Sequence, residues 1–117
     1  MNREKRARAI AQVVEQEKRK RGRPFRPVVL AGDMNADKWR KEFAEEEIFG
    51  ILEGAEYANP LGDLPAKARG THPSRKWGDS ALDYIFCRGL KPVDVPRIIP
   101  NDGLSDHYAL FVLLGGK

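Results

Sequence analysis

The sequence predicts an α/β fold in which one mixed, mostly antiparallel sheet carries helices on one face. Three observations support this prediction. An amphipathic helical pattern over residues 3–20 precedes a continuous apolar run over residues 27–32, and three more apolar strands occupy the second half of the chain. Those strands are predicted at residues 82–87, 93–99 and 107–114. At 117 residues the chain is one domain or a part of one.

The first helix is predicted because apolar side chains recur on one face at helical spacing. They are Ala7, Ile10, Ala11 and Val14. Residues 1–26, a basic helix and loop, carry ten Lys/Arg and three Glu, a net charge of +7, whereas the rest of the chain carries −3. Such a basic arm attracts polyanions such as nucleic acid. A solvated helix face followed by a solubilising loop is the simpler interpretation.

The run at residues 27–32 predicts a strand buried on both faces, since it is continuously apolar and begins at a proline. Asp33, Asn35 and Asp37 follow at its carboxyl end, where open α/β sheets bind ligands. Asp37 is predicted to cap a second helix over residues 38–49. The apolar side of that helix would be formed by Trp39, Phe43 and Ile48.

The middle of the chain is predicted to be irregular. Residues 50–70 are rich in Gly, Pro and Ala, which favours a loop, and residues 71–79 form a polar loop or strand edge. The strand predicted at residues 93–99 contains Pro96, which favours a place at the edge of the sheet.

Polar groups stand at or inside three of the predicted strands. Asp106 and His107 precede the last strand, Asp33 and Asn35 end the first, and Asp83 lies inside another. Burying such groups costs a few kcal/mol each, roughly, unless they find partners. We therefore expect one common site of carboxylates, an amide and an imidazole, a set suited to a divalent cation and a phosphate.

The three motifs together resemble the C-terminal half of the endonuclease/exonuclease/phosphatase superfamily of metal-dependent phosphoesterases, and they occur in the family's order. They are Gly32-Asp33-Met34-Asn35, Leu82-Asp83-Tyr84-Ile85-Phe86 and Leu104-Ser105-Asp106-His107-Tyr108. The resemblance implies an α/β (α+β) sandwich of which residues 1–117 would be about half of the usual four layers, a single partial domain.

The resemblance also implies a role for each polar residue. Asp33 would orient and help deprotonate the attacking water, and Asn35 would hold that water or a phosphate oxygen. Asp106 would contribute to a Mg²⁺ or Mn²⁺ site. His107 would donate to a phosphate oxygen, with Asp83 accepting from the far side of its ring.

A loop that precedes the second motif offers candidate substrate-binding residues. These are Thr71, His72, Arg75 and Trp77. Arg75 could clamp a substrate, and the ring of Trp77 could stack on it. An ordinary exposed loop with a surface histidine is the competing interpretation.

The family's N-terminal half normally supplies an Asn and a Glu that is a principal metal ligand, and neither has a match in this chain. The sheet would then have an apolar second face that needs cover. Three explanations stay open: a fragment of a longer product, a homodimer of two half-sandwiches, or a remnant kept for binding.

The sequence thus predicts metal-dependent hydrolysis of a phosphodiester or phosphomonoester by in-line attack of water. A catalytically incomplete module that binds a polyanion or a partner is the alternative. Nucleic acid, phospholipid head groups and small organic phosphates are all compatible as substrates. The first residues lack the apolar core of a secretory signal and no run of about 20 apolar residues occurs, so we expect a cytoplasmic protein without a membrane span.

Overall fold

The computed structural model describes residues 3–19, 27–43, 46–73, 78–101 and 103–116. Within these ranges, two α-helices and six strands form a small mixed α/β structure with antiparallel strand pairs. The helices are α1 (Arg3–Arg19) and α2 (Ile48–Gly54), and the strands are β1 (Val28–Asp33), β2 (Asp83–Arg88), β3 (Leu90–Pro92), β4 (Arg97–Ile99), β5 (Ala109–Phe111) and β6 (Leu114–Gly116).

The longest strand pair joins β1 to β2. The register runs from Val28 opposite Arg88 to Asp33 opposite Asp83, so this ladder ends on two carboxylates. Two shorter antiparallel pairs join β3 to β6 and β4 to β5. Because β5 also contacts β2, the segment before β5 lies near the end of the long ladder.

The core lies on one face of β2. Tyr84 and Phe86 are buried there, and Phe49 of α2 packs edge-on to the Tyr84 ring at 5.2 Å between centroids. Fully burying each large apolar side chain contributes about 1.5–3 kcal/mol. Since side chains alternate along a strand, the burial of Tyr84 places Asp83 on the opposite face.

The second helix predicted at residues 38–49 is wrong. Residues 38–43 form turns and a short 3₁₀ helix, and α2 extends to Gly54 through a region predicted as loop. The cause is Asp37, which is buried and caps a turn, because it accepts the Trp39 N–H at 2.9 Å. Its other oxygen accepts the Ala81 N–H at 2.9 Å, a partner far along the chain.

The rest of the region predicted as loop is also partly ordered. Short 3₁₀ helices occupy Pro60–Asp63 and Ala66–Ala68. Pro60 stands at the start of the first, where its missing N–H costs no helical hydrogen bond.

Two strand predictions also need correction. The prediction that the first strand is buried on both faces is wrong, since Val29 is 51% exposed and the last three residues of β1 are exposed. The single strand predicted at residues 107–114 is divided into β5 and β6, because the chain changes pairing partner between them. The strand predicted at residues 93–99 is reduced to β4.

Several large apolar side chains remain exposed on the strands and the segments that join them. Among them are Val29, Ile99, Phe111 and Leu113. The cover expected for an apolar second face, by a further half of the fold or by a second copy, stays a prediction. Across the described ranges, no helix combines the length and the apolar character that a membrane span requires.

Candidate active site

The site begins at the end of the β1–β2 ladder. Asp33 and Asp83 are register partners, so their side chains project from the same face of the strand pair. Like charges directly opposite each other destabilise a strand pair. A positive group between the two carboxylates is therefore expected on electrostatic grounds.

The imidazole of His107 lies in that place. Its Nδ1–H donates to Asp83 Oδ2 at 2.7 Å, and its Nε2 lies 3.8 Å from Asp33 Oδ2. The hydrogen bond to Asp83 raises the pKa of His107, and the negative charges of Asp33 and Asp106 add to this effect, while burial opposes it. The ring is 28% exposed, so it is held on one side and open on the other.

The loop before β5 holds His107 through a network of its own. Asn101 Nδ2 donates to the His107 carbonyl at 2.8 Å, and Asn101 Oδ1 accepts the N–H groups of Gly103 and Ser105. The Ser105 hydroxyl accepts the His107 N–H at 3.1 Å. One amide side chain thus fixes the turn that presents the imidazole.

Asn35 is positioned by Asp33. The Asn35 N–H donates to Asp33 Oδ1 at 2.7 Å, which forms a tight turn directly after β1. Asn35 adopts φ +52°, a left-handed conformation that asparagine tolerates better than most residues. The turn leaves Asp33 Oδ2 directed towards His107.

Thr71 lies behind the site rather than on its surface. Its side chain is fully buried, and Oγ1 accepts the N–H groups of Leu82 and Asp83 at 3.0 and 3.1 Å. Its carbonyl accepts the Tyr108 N–H at 2.6 Å. These contacts are with the backbone and differ from the substrate contact predicted for Thr71. The residue joins the start of β2 to the loop that carries His107.

His72 enters the site from the same segment. Its backbone pairs with Ser80, and its ring lies edge-on to the His107 ring at 4.8 Å between centroids. Asp106 completes a group in which one possible ligand atom each from His72, Asp106 and His107 lies within 4.8 Å of the others. The residues predicted from three separate motifs therefore meet at one place.

Asp33, Asn35, His72, Asp83, Asp106 and His107 form one polar cluster. A cavity of about 370 Å³ adjoins this cluster. It is lined by Asn35, Arg40, Glu42, Phe43, His72, Ser80 and Leu82. Since Asn35 and His72 belong to both the cluster and the cavity wall, a bound molecule can contact both. The remaining predicted substrate residues, Arg75 and Trp77, lie outside the described residues.

The sequence profile of the Endonuclease/Exonuclease/phosphatase family matches residues 2–107, which includes every residue of this cluster. The chain belongs to this family. Members of the endonuclease/exonuclease/phosphatase family are in general metal-dependent phosphoesterases or nucleases. No curated protein and no solved structure matches the chain significantly.

The donor atoms allow a test of whether the divalent metal of the endonuclease/exonuclease/phosphatase family fits this chain. Asp83 Oδ2 is taken up by His107, whereas Asp33 and Asp106 present carboxylates at exposed positions beside the imidazole. Mg²⁺ and Mn²⁺ take oxygen ligands, and Mg²⁺ commonly uses one or two carboxylates together with substrate oxygens. The donor set fits such an ion.

The sequence interpretation missed residues that position this candidate site. The Tyr84 hydroxyl accepts the Lys38 N–H at 3.0 Å and lies 2.7 Å from the Ala81 carbonyl and 2.9 Å from that of Ala36. The signal was present, because a tyrosine on the buried face of a strand needs a partner for its hydroxyl. The role of Asn101 had no comparable signal, since asparagine is common in any loop.

Replacing Tyr84 with phenylalanine is expected to lower the free energy of unfolding by about 1–3 kcal/mol, because the buried groups around the hydroxyl lose their partner. Burial also raises the pKa of this phenol, so the hydroxyl stays protonated and can donate. Urea unfolding measures the change. Tyr108→Phe, at a half-buried position, is the matched control, and an equal loss in both variants would contradict the role of Tyr84.

Proposed function

We propose that this chain carries the site at which a phosphodiester or phosphomonoester is hydrolysed by in-line attack of water. The observation that supports the proposal most is the Asp83–His107–Asp33 arrangement. An imidazole that is hydrogen bonded to one carboxylate faces a second carboxylate across 3.8 Å. The two groups are therefore close enough to contact one phosphate and its attacking water at the same time.

His107 acts as the cation that meets the phosphate. Because its Nδ1–H donates to Asp83 and its pKa is raised, the protonated ring is favoured. Its Nε2–H then donates to a non-bridging phosphate oxygen as negative charge develops there. Asp83 does not touch the substrate in this scheme; it orients the ring.

Asp33 and Asn35 activate and position the attacking water. Asp33 Oδ2 accepts a proton of the attacking water, and the water oxygen bonds to phosphorus while the P–O bond to the leaving group on the far side breaks. The leaving oxygen takes a proton from solvent. The Asn35 side-chain amide, fixed by the turn after β1, holds the same water or a phosphate oxygen. Asp33 Oδ1 is occupied by the Asn35 N–H, so a single oxygen is left for the chemistry.

Asp106 would hold Mg²⁺ or Mn²⁺ beside the imidazole. When bound, such an ion supplies positive charge that neutralises the phosphate and the leaving oxygen. The cavity next to Asn35 and His72 would receive the organic part of the ester. Nucleic acid, a lipid head group and a small organic phosphate each present the same phosphate chemistry at this point.

A second candidate is a module that binds a polyanion or a partner without turnover. The observation in its favour is the net charge of +7 over residues 1–26. Binding of that kind weakens steeply with salt. DNA binding that weakens with salt, together with no phosphate-ester hydrolysis in the presence of any divalent metal ion, would favour this alternative.

The test of the proposed hydrolysis uses bis-p-nitrophenyl phosphate and p-nitrophenyl phosphate with Mg²⁺ or Mn²⁺. Asp106→Asn is expected to raise the metal concentration that gives half-maximal rate by about tenfold, since it removes one anionic ligand. Asp63→Asn, which changes an exposed carboxylate on a 3₁₀ helix, is the matched control. Hydrolysis that persists with excess chelator, or equal metal dependence in both variants, would contradict the proposal.

A further inference from the structure

We propose that His72, Asp106 and His107 form a binding site for a borderline-soft divalent cation, Zn²⁺ in particular, and that its occupation inhibits hydrolysis. The inhibition rests on the function proposed above, whereas the binding does not. The site shares His107 with the phosphate site and Asp106 with the proposed Mg²⁺ or Mn²⁺ site. Zn²⁺ and substrate therefore compete for one imidazole.

The spacing of the two imidazoles suits one shared ion. Two ring nitrogens that each bind Zn²⁺ at about 2.0–2.1 Å place their ring centroids roughly 5 Å apart. The centroids of His72 and His107 are 4.8 Å apart, and the rings are inclined by 61°. A possible ligand atom of Asp106 lies within 4.8 Å of one from each ring.

Asp83 prepares His107 for metal binding. Its carboxylate accepts the Nδ1–H at 2.7 Å, which leaves Nε2 as the nitrogen that can bind an ion. A carboxylate behind the ring is the usual partner of a metal-binding histidine, because it fixes the tautomer and makes the ring a better ligand. The same contact that favours a phosphate donor thus favours a metal ligand once the Nε2 proton is displaced.

The backbone holds the two histidines in place relative to each other. His72 and Ser80 exchange N–H to carbonyl bonds at 2.9 Å, and the Tyr108 N–H donates to the Thr71 carbonyl at 2.6 Å. The residues next to the two histidines are therefore joined directly. The two histidines are therefore already ordered before an ion binds, and this lowers the entropic cost of binding.

The ligand types decide which cation is preferred. Imidazole nitrogen suits Zn²⁺, Co²⁺ and Ni²⁺, whereas Mg²⁺ prefers oxygen and keeps several waters. Two imidazoles and one carboxylate give three protein ligands and leave a fourth position for water. The cluster accordingly distinguishes Zn²⁺ from the Mg²⁺ or Mn²⁺ that supports hydrolysis.

The first measurement is an NMR titration of the histidine rings in the full chain. The chain has two histidines, so one variant assigns both ring signals. One equivalent of Zn²⁺ is expected to shift both rings together, and a tenfold excess of Mg²⁺ to shift neither by a comparable amount. A Zn²⁺ effect on one ring alone, or on neither, would overturn the site.

The second measurement is Zn²⁺ affinity by competition with a chromogenic chelator. His72→Gln is expected to weaken Zn²⁺ binding by about tenfold or more. Mutating a residue that only supports a metal ligand already lowers metal affinity by about that factor, and His72 is proposed as a ligand itself. Asp94→Asn, at an exposed position outside the cluster, is the control. Equal Zn²⁺ affinity in the two variants would overturn the proposal.

The third measurement separates inhibition from hydrolysis. The ratio of the rates without and with Zn²⁺, at fixed Mg²⁺, is expected to fall towards one in His72→Gln and to stay unchanged in Asp94→Asn. Tight Zn²⁺ binding without any change of that ratio would overturn the inhibition. If no variant hydrolyses any ester, the proposed function fails, yet the NMR and affinity results still decide the metal site.

Discussion

Replacing His107 with glutamine is expected to lower kcat for phosphate-ester hydrolysis by about 10²–10³-fold, because the developing negative charge loses its cationic hydrogen-bond donor. Glutamine retains a hydrogen-bonding end but carries no charge. It also leaves the carboxylates of Asp33 and Asp83, which are register partners, without the ring between them. The measurement is the steady-state rate at saturating substrate and metal.

Asp33→Ala should give a loss of similar size, since it removes the group proposed to activate the water. Asp63→Ala, which removes an exposed carboxylate elsewhere, should leave kcat unchanged. Circular dichroism must show that each variant is folded. A folded His107→Gln protein with the rate of the control would remove His107 from the mechanism.

Asp83→Asn is expected to move the alkaline limb of the pH–rate profile to lower pH. The hydrogen bond from Nδ1 to Asp83 is the main cause of the raised pKa of His107, so neutralising Asp83 lowers that pKa. A mechanism that needs protonated His107 loses activity as the pH rises through this pKa. Each pH unit of movement lowers the rate at a fixed alkaline pH by about tenfold.

The same shift is directly visible in an NMR titration of the His107 ring. The pKa from NMR and the midpoint of the alkaline limb should fall together in Asp83→Asn. Asp94→Asn is the control, because it removes an equal charge at an exposed position away from the cluster. A limb that stays in place while the NMR pKa falls would show that another group sets the alkaline limit.

The sequence predicted which polar residues lie close together better than it predicted the path of the chain. Alternation along β2 separates Asp83 from the buried Tyr84, and that pattern is local. The pairing of Asp33 with Asp83 depends on register across a gap of fifty residues, which no local pattern specifies. The motifs indicated the partners, and the fold supplied their spacing.

The failure at residues 38–49 has the same origin. Asp37 resembles a helix cap when only its neighbours in sequence are considered. In the fold it is buried and accepts the Ala81 N–H, so its geometry is set by a segment 44 residues later. Thr71 is a similar case, because its hydroxyl serves the backbone at the start of β2. For both residues, contacts with a distant segment of the chain determine the geometry of the side chain.

The position of Thr71 has a consequence for how the molecule loses its geometry. Its carbonyl and hydroxyl connect the segment after the 3₁₀ helices, the first residues of β2 and the residue that follows His107. These bonds belong to none of the helices or strand ladders, and loop segments tend to open before the interior of a protein does. Gentle heating should therefore separate the histidines while the helices still pack, so that thermal inactivation precedes melting.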